Sequence, residues 1–289
     1  MKTAISIRNL TKRYKGFVLG EVTFSVPAGF IMGLIGPNGA GKTTVIKLIM
    51  ELVRADSGSI EVMGLDVATR GAEVRSEIGY VPDEPHFFDD VNLADQANAF
   101  APFYPRWNSR LFDDLAEEFE LPLRKRFKHL SQGLRIKFAI ALALARDPSL
   151  LIMDEPTTGL DPVFRSQLLA RLTDFVSDEG RTVLFSTHIT SDLETSADFV
   201  TFIHDGRVIF SDTTEQIHSD YATVRGGTLP SEIDPKTLVG LRKGDLGFEA
   251  LTSNAAAIRN SSLVVEPPTL EEIMYYIKKE KDRVLQPGA

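Results

Sequence analysis

Nine consecutive residues, Gly36-Pro37-Asn38-Gly39-Ala40-Gly41-Lys42-Thr43-Thr44, carry the P-loop spacing of glycine, four residues, then glycine-lysine-threonine. Small residues at Gly36, Gly39, Ala40 and Gly41 let successive backbone N–H groups turn inward on one anion. The N-terminus of a following helix adds the positive end of a dipole. Lys42 would reach the β- and γ-phosphates of a nucleoside triphosphate, and the Thr43 hydroxyl is suited to ligate Mg²⁺. The pattern specifies the ligand class but not the use made of it.

Four further places hold residues able to do chemistry. Asp154-Glu155 ends the apolar run Leu150-Leu151-Ile152-Met153, at the carboxyl end of a strand, where α/β folds place ligands. Beside a P-loop, Asp154 suits Mg²⁺ held through water, and Glu155 suits polarisation of an attacking water. His188 follows the strand Thr182 to Ser186; it can touch a γ-phosphate, although a lone histidine there is more often a satisfied surface residue. Ser131 and Gly133, within Leu130-Ser131-Gln132-Gly133-Leu134, open a helix where an anion can sit, or form a plain N-cap. Tyr14 can stack on a nucleobase or serve as an ordinary strand tyrosine.

The elements that position these residues follow from periodicity. Phe30 to Ile35 reads as a buried parallel strand entering the loop, and Lys42 to about Val53 as a helix with Val45, Leu48, Ile49 and Leu52 on one face. Residues 1 to 30 read as β, with Ile5 and Ile7, then Val22, Phe24 and Val26 in alternation. Ser59 to Val62 and Ile78 to Val81 read as further strands. From Pro82-Asp83-Glu84-Pro85 to about Phe127 the chain is helical and aromatic-rich, with Phe87, Phe88, Phe100, Phe103, Tyr104 and Trp107; most of these rings suit a helical core and the rest a groove for a partner helix. A helix to about Arg146 ends at Asp147-Pro148, and Asp161-Pro162 opens another, with Leu168, Leu169, Leu172 and Phe175 as its apolar side. Phe199 to His204 and Arg207 to Ser211, joined by Asp205-Gly206, predict a hairpin with a type I′ turn.

Length and charge narrow the classes. A chain of 289 residues suits one large domain or a domain with an appendage. A net charge of −8 argues against an extended nucleic-acid surface, so no nucleic-acid partner is expected. No cysteine is present, which rules out disulfides and thiolate metal sites and fits the cytosol. The first residues lack the apolar core of a signal peptide, and no run of about 18 apolar residues suggests a bilayer span. Beyond about residue 214 Gly226-Gly227, Gly240, Gly244 and Gly247 break the chain into short elements before a charged helix from Leu270 to about Lys281. No catalytic constellation is legible there.

Taken together, residues 3 to 212 resemble the nucleotide-binding subunit of an ABC transporter. Leu130 to Leu134 looks like the family's signature sequence, and Asp154-Glu155 like its Walker B aspartate and catalytic glutamate. Gly159-Leu160-Asp161 matches the D-loop and His188 the switch histidine, while Tyr14 sits where an adenine-stacking aromatic is expected. The resemblance implies an α/β fold: a P-loop NTPase core with a parallel sheet, an N-terminal antiparallel β subdomain, an inserted helical subdomain at about 84–147, and a small C-terminal extension at 214–289 after an ATPase domain at 1–213.

It also implies ATP and Mg²⁺ as ligands, ATP hydrolysis with Glu155, His188 and Lys42 as catalytic groups, and two such domains meeting head to tail. Each ATP would then lie between one P-loop and the other subunit's Ser131 and Gly133, with Asp161 nearby. An integral membrane permease would be the partner, the chain lying on the cytoplasmic face of the membrane through it. The compact chain with a short tail looks somewhat exporter-like. Two departures stand out. Asp83 occupies the place of the family's glutamine, where a carboxylate can still approach Mg²⁺. Gln132 and Leu134 replace a glycine and a glutamine of the signature. A heterodimer with unequal sites, rather than a homodimer, would accommodate the second. The rival reading, an ABC-type ATPase acting on DNA or ribosomes, predicts long coiled coils or two ATPase units, and the chain has neither.

Overall fold

The computed structural model describes residues 2–177, 180–230, 233–244, 247–258 and 263–285. It divides into two units, Met1–His188 with Thr201–Ser211, and Ile189–Val200 with Asp212–Ala289.

Alternating apolar residues build the first sheet. In β1 (Thr3–Tyr14), Ile5 and Ile7 lie opposite Val26 and Phe24 of β2 (Phe17–Pro27). All four are buried, so one face of the ribbon supplies core, as period-2 patterning requires. The chain then enters β3 (Ile31–Ile35), buried throughout, and leaves it through the P-loop into α1 (Lys42–Ile49). The strand β4 (Ser57–Val62) returns to the first sheet, setting Val62 and Ile60 against Ile5 and Ile7 on the other edge of β1. The short β5 (Leu65–Asp66) completes the order β2-β1-β4-β5.

Helix α1 is shorter than its sequence periodicity predicts. It ends at Ile49, and Glu51 takes a left-handed φ of 55°. The N–H of Leu52 turns back to donate to Lys47 O at 2.9 Å, which closes the helix and throws the Leu52 side chain outward, 57 % exposed. Leu52 therefore does not belong to the buried face, whereas Val45, Leu48 and Ile49 do.

After α2 (Val67–Glu77) comes β6 (Ile78–Val81), then helices α3 (Leu93–Phe100), α4 (Ser109–Glu118) and α5 (Gln132–Ala145). Their core is a ring cluster: Phe87 meets Phe100, Phe127 and Phe138 edge-on, with centroids 5.8, 5.2 and 5.1 Å away. Phe88 and Phe103 point away from it, 64 % and 76 % exposed.

The second sheet continues with β7 (Leu150–Asp154), α6 (Pro162–Ser177), β8 (Thr182–Thr187), the short α7 (Ser191–Glu194), β9 (Phe199–His204) and β10 (Arg207–Thr213). Its order is β10-β9-β3-β8-β7-β6. Strands β3, β8, β7 and β6 run parallel, and β3, β7 and β8 are buried at every residue, as apolar runs covered on both faces should be. Between β9 and β10, Asp205 and Gly206 both have positive φ, 47° and 69°, matching a type I′ turn. This is an α/β fold of the P-loop NTPase class.

In the second unit, α8 (Thr214–Asp220) leads into β11 (Ala222–Gly226), β12 (Leu238–Gly244), β13 (Gly247–Thr252), α9 (Ala255–Ile258), β14 (Val264–Glu266) and α10 (Leu270–Leu285). The strands form the antiparallel order β12-β13-β11-β14 around Val224, Leu238, Phe248 and Ala250. Helix α10 begins with a capping box. Thr269 Oγ1 accepts from Glu272 N at 3.2 Å and the Glu272 carboxylate accepts from Thr269 N at 2.9 Å.

Candidate nucleotide site

The site is built where three parallel strands end side by side. The register sets Ile35 opposite Thr187 and Asp154 opposite Ser186, so the P-loop, the acidic pair and His188 all leave the sheet at one edge. Gly41 stands at the N-cap of α1 without a side chain to offer, which leaves the first-turn N–H groups of Lys42, Thr43 and Thr44 for an anion. Pro37 is half-buried, while Asn38 and Gly39 face outward and Ala40 is buried. The loop is clamped from behind. Gly206 N donates to Ala40 O at 3.0 Å, and Gly206 O accepts from Gly20 N at 2.8 Å.

Gly36 cannot carry a side chain. Its φ is +156°, and a Cβ built there would lie 2.2 Å from Ile203 O on β9. Gly36→Ala should cost about 1–3 kcal/mol of stability and displace the loop from the sheet. Denaturant unfolding and nucleotide titration check this; a variant as stable and as tightly binding as the parent would contradict it.

Lys42 is buried at 5 % exposure and already engaged. Its Nζ donates to Gly36 O at 2.7 Å, lies 3.4 Å from Pro37 O, and pairs with Glu155 Oε1 at 3.1 Å. The other carboxylate oxygen of Glu155 lies 2.6 Å from His188 Nδ1 and accepts from the His188 N–H at 3.2 Å. Glu155 thus joins Lys42 to His188 in one chain of contacts. Its backbone is left-handed, φ 50°, which lets its carboxylate leave the strand end in a direction different from Asp154.

Asp154, 1 % exposed, accepts from Ser186 Oγ at 2.6 Å. The same Ser186 Oγ accepts from Glu155 N at 3.0 Å. Ser186 belongs to no recognised pattern in the sequence. Its one signal is a hydroxyl in the otherwise apolar run Val183-Leu184-Phe185, two residues before the histidine.

Negative charge is crowded at this edge. Burial of its inner side raises the Asp83 carboxyl pKa above its ordinary value, Asp154, Glu155 and Glu84 raise it further, and His188 opposes them. Burial, then Asp154 and Asp83, push the Tyr80 phenol up to about 12. Mg²⁺ prefers one or two carboxylates plus phosphate oxygens and water over an all-protein cage. The residues fit that preference: Asp154 and the half-buried Thr43 offer oxygens beside the P-loop strand end, and among the described residues no group of three or more His, Cys, Asp or Glu is arranged to hold a metal alone.

The remaining residues are set by other elements. Ser131 caps α5 by accepting from Leu134 N at 3.4 Å. A Cβ on Gly133 would lie 3.6 Å from Gly159 O, so the start of α5 adjoins the turn at Gly159 of the same chain. Asp161 Oδ1 accepts from Phe164 N at 2.9 Å and caps α6; that bond holds its carboxyl pKa below the usual value. Tyr14 ends β1, the residue 43 % exposed, with Lys12 Nζ 5.7 Å from the ring centre.

A parallel sheet ending in a glycine-rich loop, a buried lysine and a strand-end acid pair defines a P-loop nucleotide-binding protein. Comparison with known proteins narrows the class. The family model described as ABC transporter matches residues 19–158, and an AAA domain model matches residues 126–191. The lantibiotic transport ATP-binding protein SrtF of Streptococcus pyogenes is 36 % identical over 207 residues, covering 71 % of this chain and 89 % of its own. The Nod factor export ATP-binding protein I of Burkholderia orbicola (strain AU 1054) is 35 % identical over 211 residues, covering 71 % and 69 %. A solved ATP-binding subunit of an ABC transporter superposes with a TM-score of 0.69 at 31 % identity, covering 75 % of this chain and 92 % of that one. The chain belongs to the ABC transporter ATP-binding proteins, and it is an ATPase.

Proposed function

We propose that this chain binds and hydrolyses ATP to power a separate integral membrane permease, in a transporter of the export type. Among the described residues no helix is long and apolar enough to cross a membrane, so the permease would hold the chain at the cytoplasmic face. The observation that carries the reading is the contact chain Lys42–Glu155–His188 beside Asp154, at the mouth of a P-loop.

In this reading Gly36 to Thr44 and Lys42 hold the triphosphate, and Tyr14 stacks on the adenine. The Thr43 hydroxyl and Asp154 would hold Mg²⁺, with Asp83 as a further carboxylate able to approach it. Such a cation would supply charge neutralisation for the phosphates. Glu155 orients and deprotonates the attacking water, and His188 fixes the carboxylate that does so. Ser131 and Gly133 of one copy, with Asp161 close by, would complete the site of a second copy packed head to tail. ATP would then join the two copies and hydrolysis release them.

The signature substitutions Gln132 and Leu134 favour a heterodimer with unequal sites. A native mass measurement showing an ATP-dependent homodimer that hydrolyses at both sites would remove that part. For the transporter reading, the chain expressed from its own genomic neighbourhood should co-purify with a multi-span membrane protein. Recovery with ribosomes or DNA instead would overturn it.

A further inference from the structure

We infer that Ser186 is a positioning residue for both acids of the site, setting the rotamer of Asp154 and the backbone turn of Glu155 through a single hydroxyl. The inference rests on the nucleotide-site reading above and deepens it.

Ser186 is fully buried in β8, in the run Thr182-Val183-Leu184-Phe185-Ser186. A buried hydroxyl needs partners, and here both lie on the neighbouring strand end. The Glu155 N–H, which can only donate, reaches Ser186 Oγ at 3.0 Å. The hydroxyl's single proton is therefore free, and Asp154 Oδ1 at 2.6 Å takes it. The two bonds have fixed directions, so the hydroxyl cannot reverse without losing one of them.

The register makes this unavoidable. Asp154 pairs with Ser186 across β7 and β8, while Leu34, two residues before the P-loop glycine Gly36, pairs with Ser186 from the other side. One side chain thus sits between the strand that supplies the phosphate loop and the strand that supplies the acids. Its bond to Asp154 occupies one carboxylate oxygen and orients the carboxylate about that contact. Its bond to Glu155 N, shared with Ser186 O at 3.1 Å, pins the residue whose left-handed φ of 50° turns its carboxylate toward Lys42 and His188. An alanine would leave Asp154 Oδ1 without this donor and Glu155 N with only the backbone oxygen of residue 186. Groups that orient a metal-ligating carboxylate typically carry a 10–100-fold effect on metal affinity or activity.

The test compares the parent chain, Ser186→Ala and Ser186→Thr, with its permease present if turnover requires it. Four quantities are read: ATP turnover at saturating nucleotide, the Mg²⁺ concentration giving half-maximal turnover, Mn²⁺ affinity with ADP by electron paramagnetic resonance, and nucleotide affinity without metal. Ser186→Ala should lose about 10–100-fold in turnover and a similar factor in Mn²⁺ affinity. Metal-free nucleotide affinity should stay within about twofold, because the Ser186 hydroxyl bonds Asp154 and Glu155 rather than the loop Gly36–Thr44. Ser186→Thr, which keeps the hydroxyl, should recover most of both losses. Should Ser186→Ala not fold, Ser186→Cys, similar in shape but a weak donor, is read by the same criteria.

The inference is overturned if Ser186→Ala matches the parent in turnover and Mn²⁺ affinity. It is equally overturned if metal-free nucleotide affinity falls in parallel with the other losses, or if threonine fails to rescue. A parent chain, correctly partnered, that never releases phosphate would instead overturn the site reading itself.

Discussion

Glu155→Gln should lower ATP turnover by about 10²-fold or more while leaving nucleotide bound. The amide keeps the shape of the side chain but cannot take a proton from water. In the structure the carboxylate touches Lys42 Nζ at 3.1 Å through one oxygen and His188 Nδ1 at 2.6 Å through the other. Its second role before nucleotide arrives is therefore to neutralise a buried ammonium. At an effective dielectric near 20, such a pair attracts by roughly 5 kcal/mol before desolvation of both groups is subtracted. The incoming phosphates compete with Glu155 for Lys42, so the substitution removes a competitor as well as a base. Metal-free ADP affinity should consequently be unchanged or tighter in Glu155→Gln, and ATP-bound dimers should accumulate. Single-turnover phosphate release, ADP titration and size-exclusion with light scattering check the three statements. Parent-like turnover would sink the base assignment, and weaker ADP binding would sink the competition argument.

Much of the first unit was legible because strong local signals agreed. The apolar strand, the glycine loop and the helix after Lys42 fall in β3, the P-loop and α1, and the type I′ turn appears at Asp205-Gly206. The misplacement of Leu52 shows the limit of periodicity. An apolar residue at helical spacing continues the pattern even after Glu51 has turned left-handed and ended the helix. Strand order was not readable at all. That β8 lies between β3 and β7 is a property of the sheet, and it alone brings His188 and Ser186 to the acids. Ser186 left no trace in any spacing, since one hydroxyl in a buried strand is common and its meaning depends on the neighbour it faces.

In the second unit the last helix, read from Leu270, is found as α10, whereas the sheet was illegible for another reason. Its glycines mark interruptions, and β12 and β13 are consecutive partners, but β11 pairs with β13 and with β14 across long stretches of chain, and such pairing has no local signature. The capping box at Thr269 and Glu272 was available in the sequence as threonine followed three residues later by glutamate. Tyr14 was legible as an aromatic at a strand end, and it stands exposed at the end of β1 with Lys12 Nζ 5.7 Å from its ring centre.

Lys42→Ala should weaken ATP binding by about 10²-fold or more, through two separable losses. The first is direct: a charge-assisted bond to phosphate contributes about 1.5–3 kcal/mol. The second is electrostatic and arises before any ligand binds. With the ammonium gone, Glu155 remains 8 % exposed beside Asp154, where the carboxyl of Asp83 is already raised by its own burial and then by those two charges. Leaving one partner of a buried pair uncompensated costs on the order of 3–5 kcal/mol, less what the remaining His188 contact offsets. A double-mutant cycle separates the two. Lys42→Ala should destabilise the nucleotide-free chain; adding Glu155→Gln should restore most of that stability, because no anion is then stranded. The same addition should restore only part of the ATP affinity, since the amide relieves repulsion but supplies no cation for the phosphates. Equal recovery of stability and affinity would mean Lys42 acts only by neutralising Glu155. Parent-like ATP affinity in Lys42→Ala would remove the lysine from the phosphate site altogether.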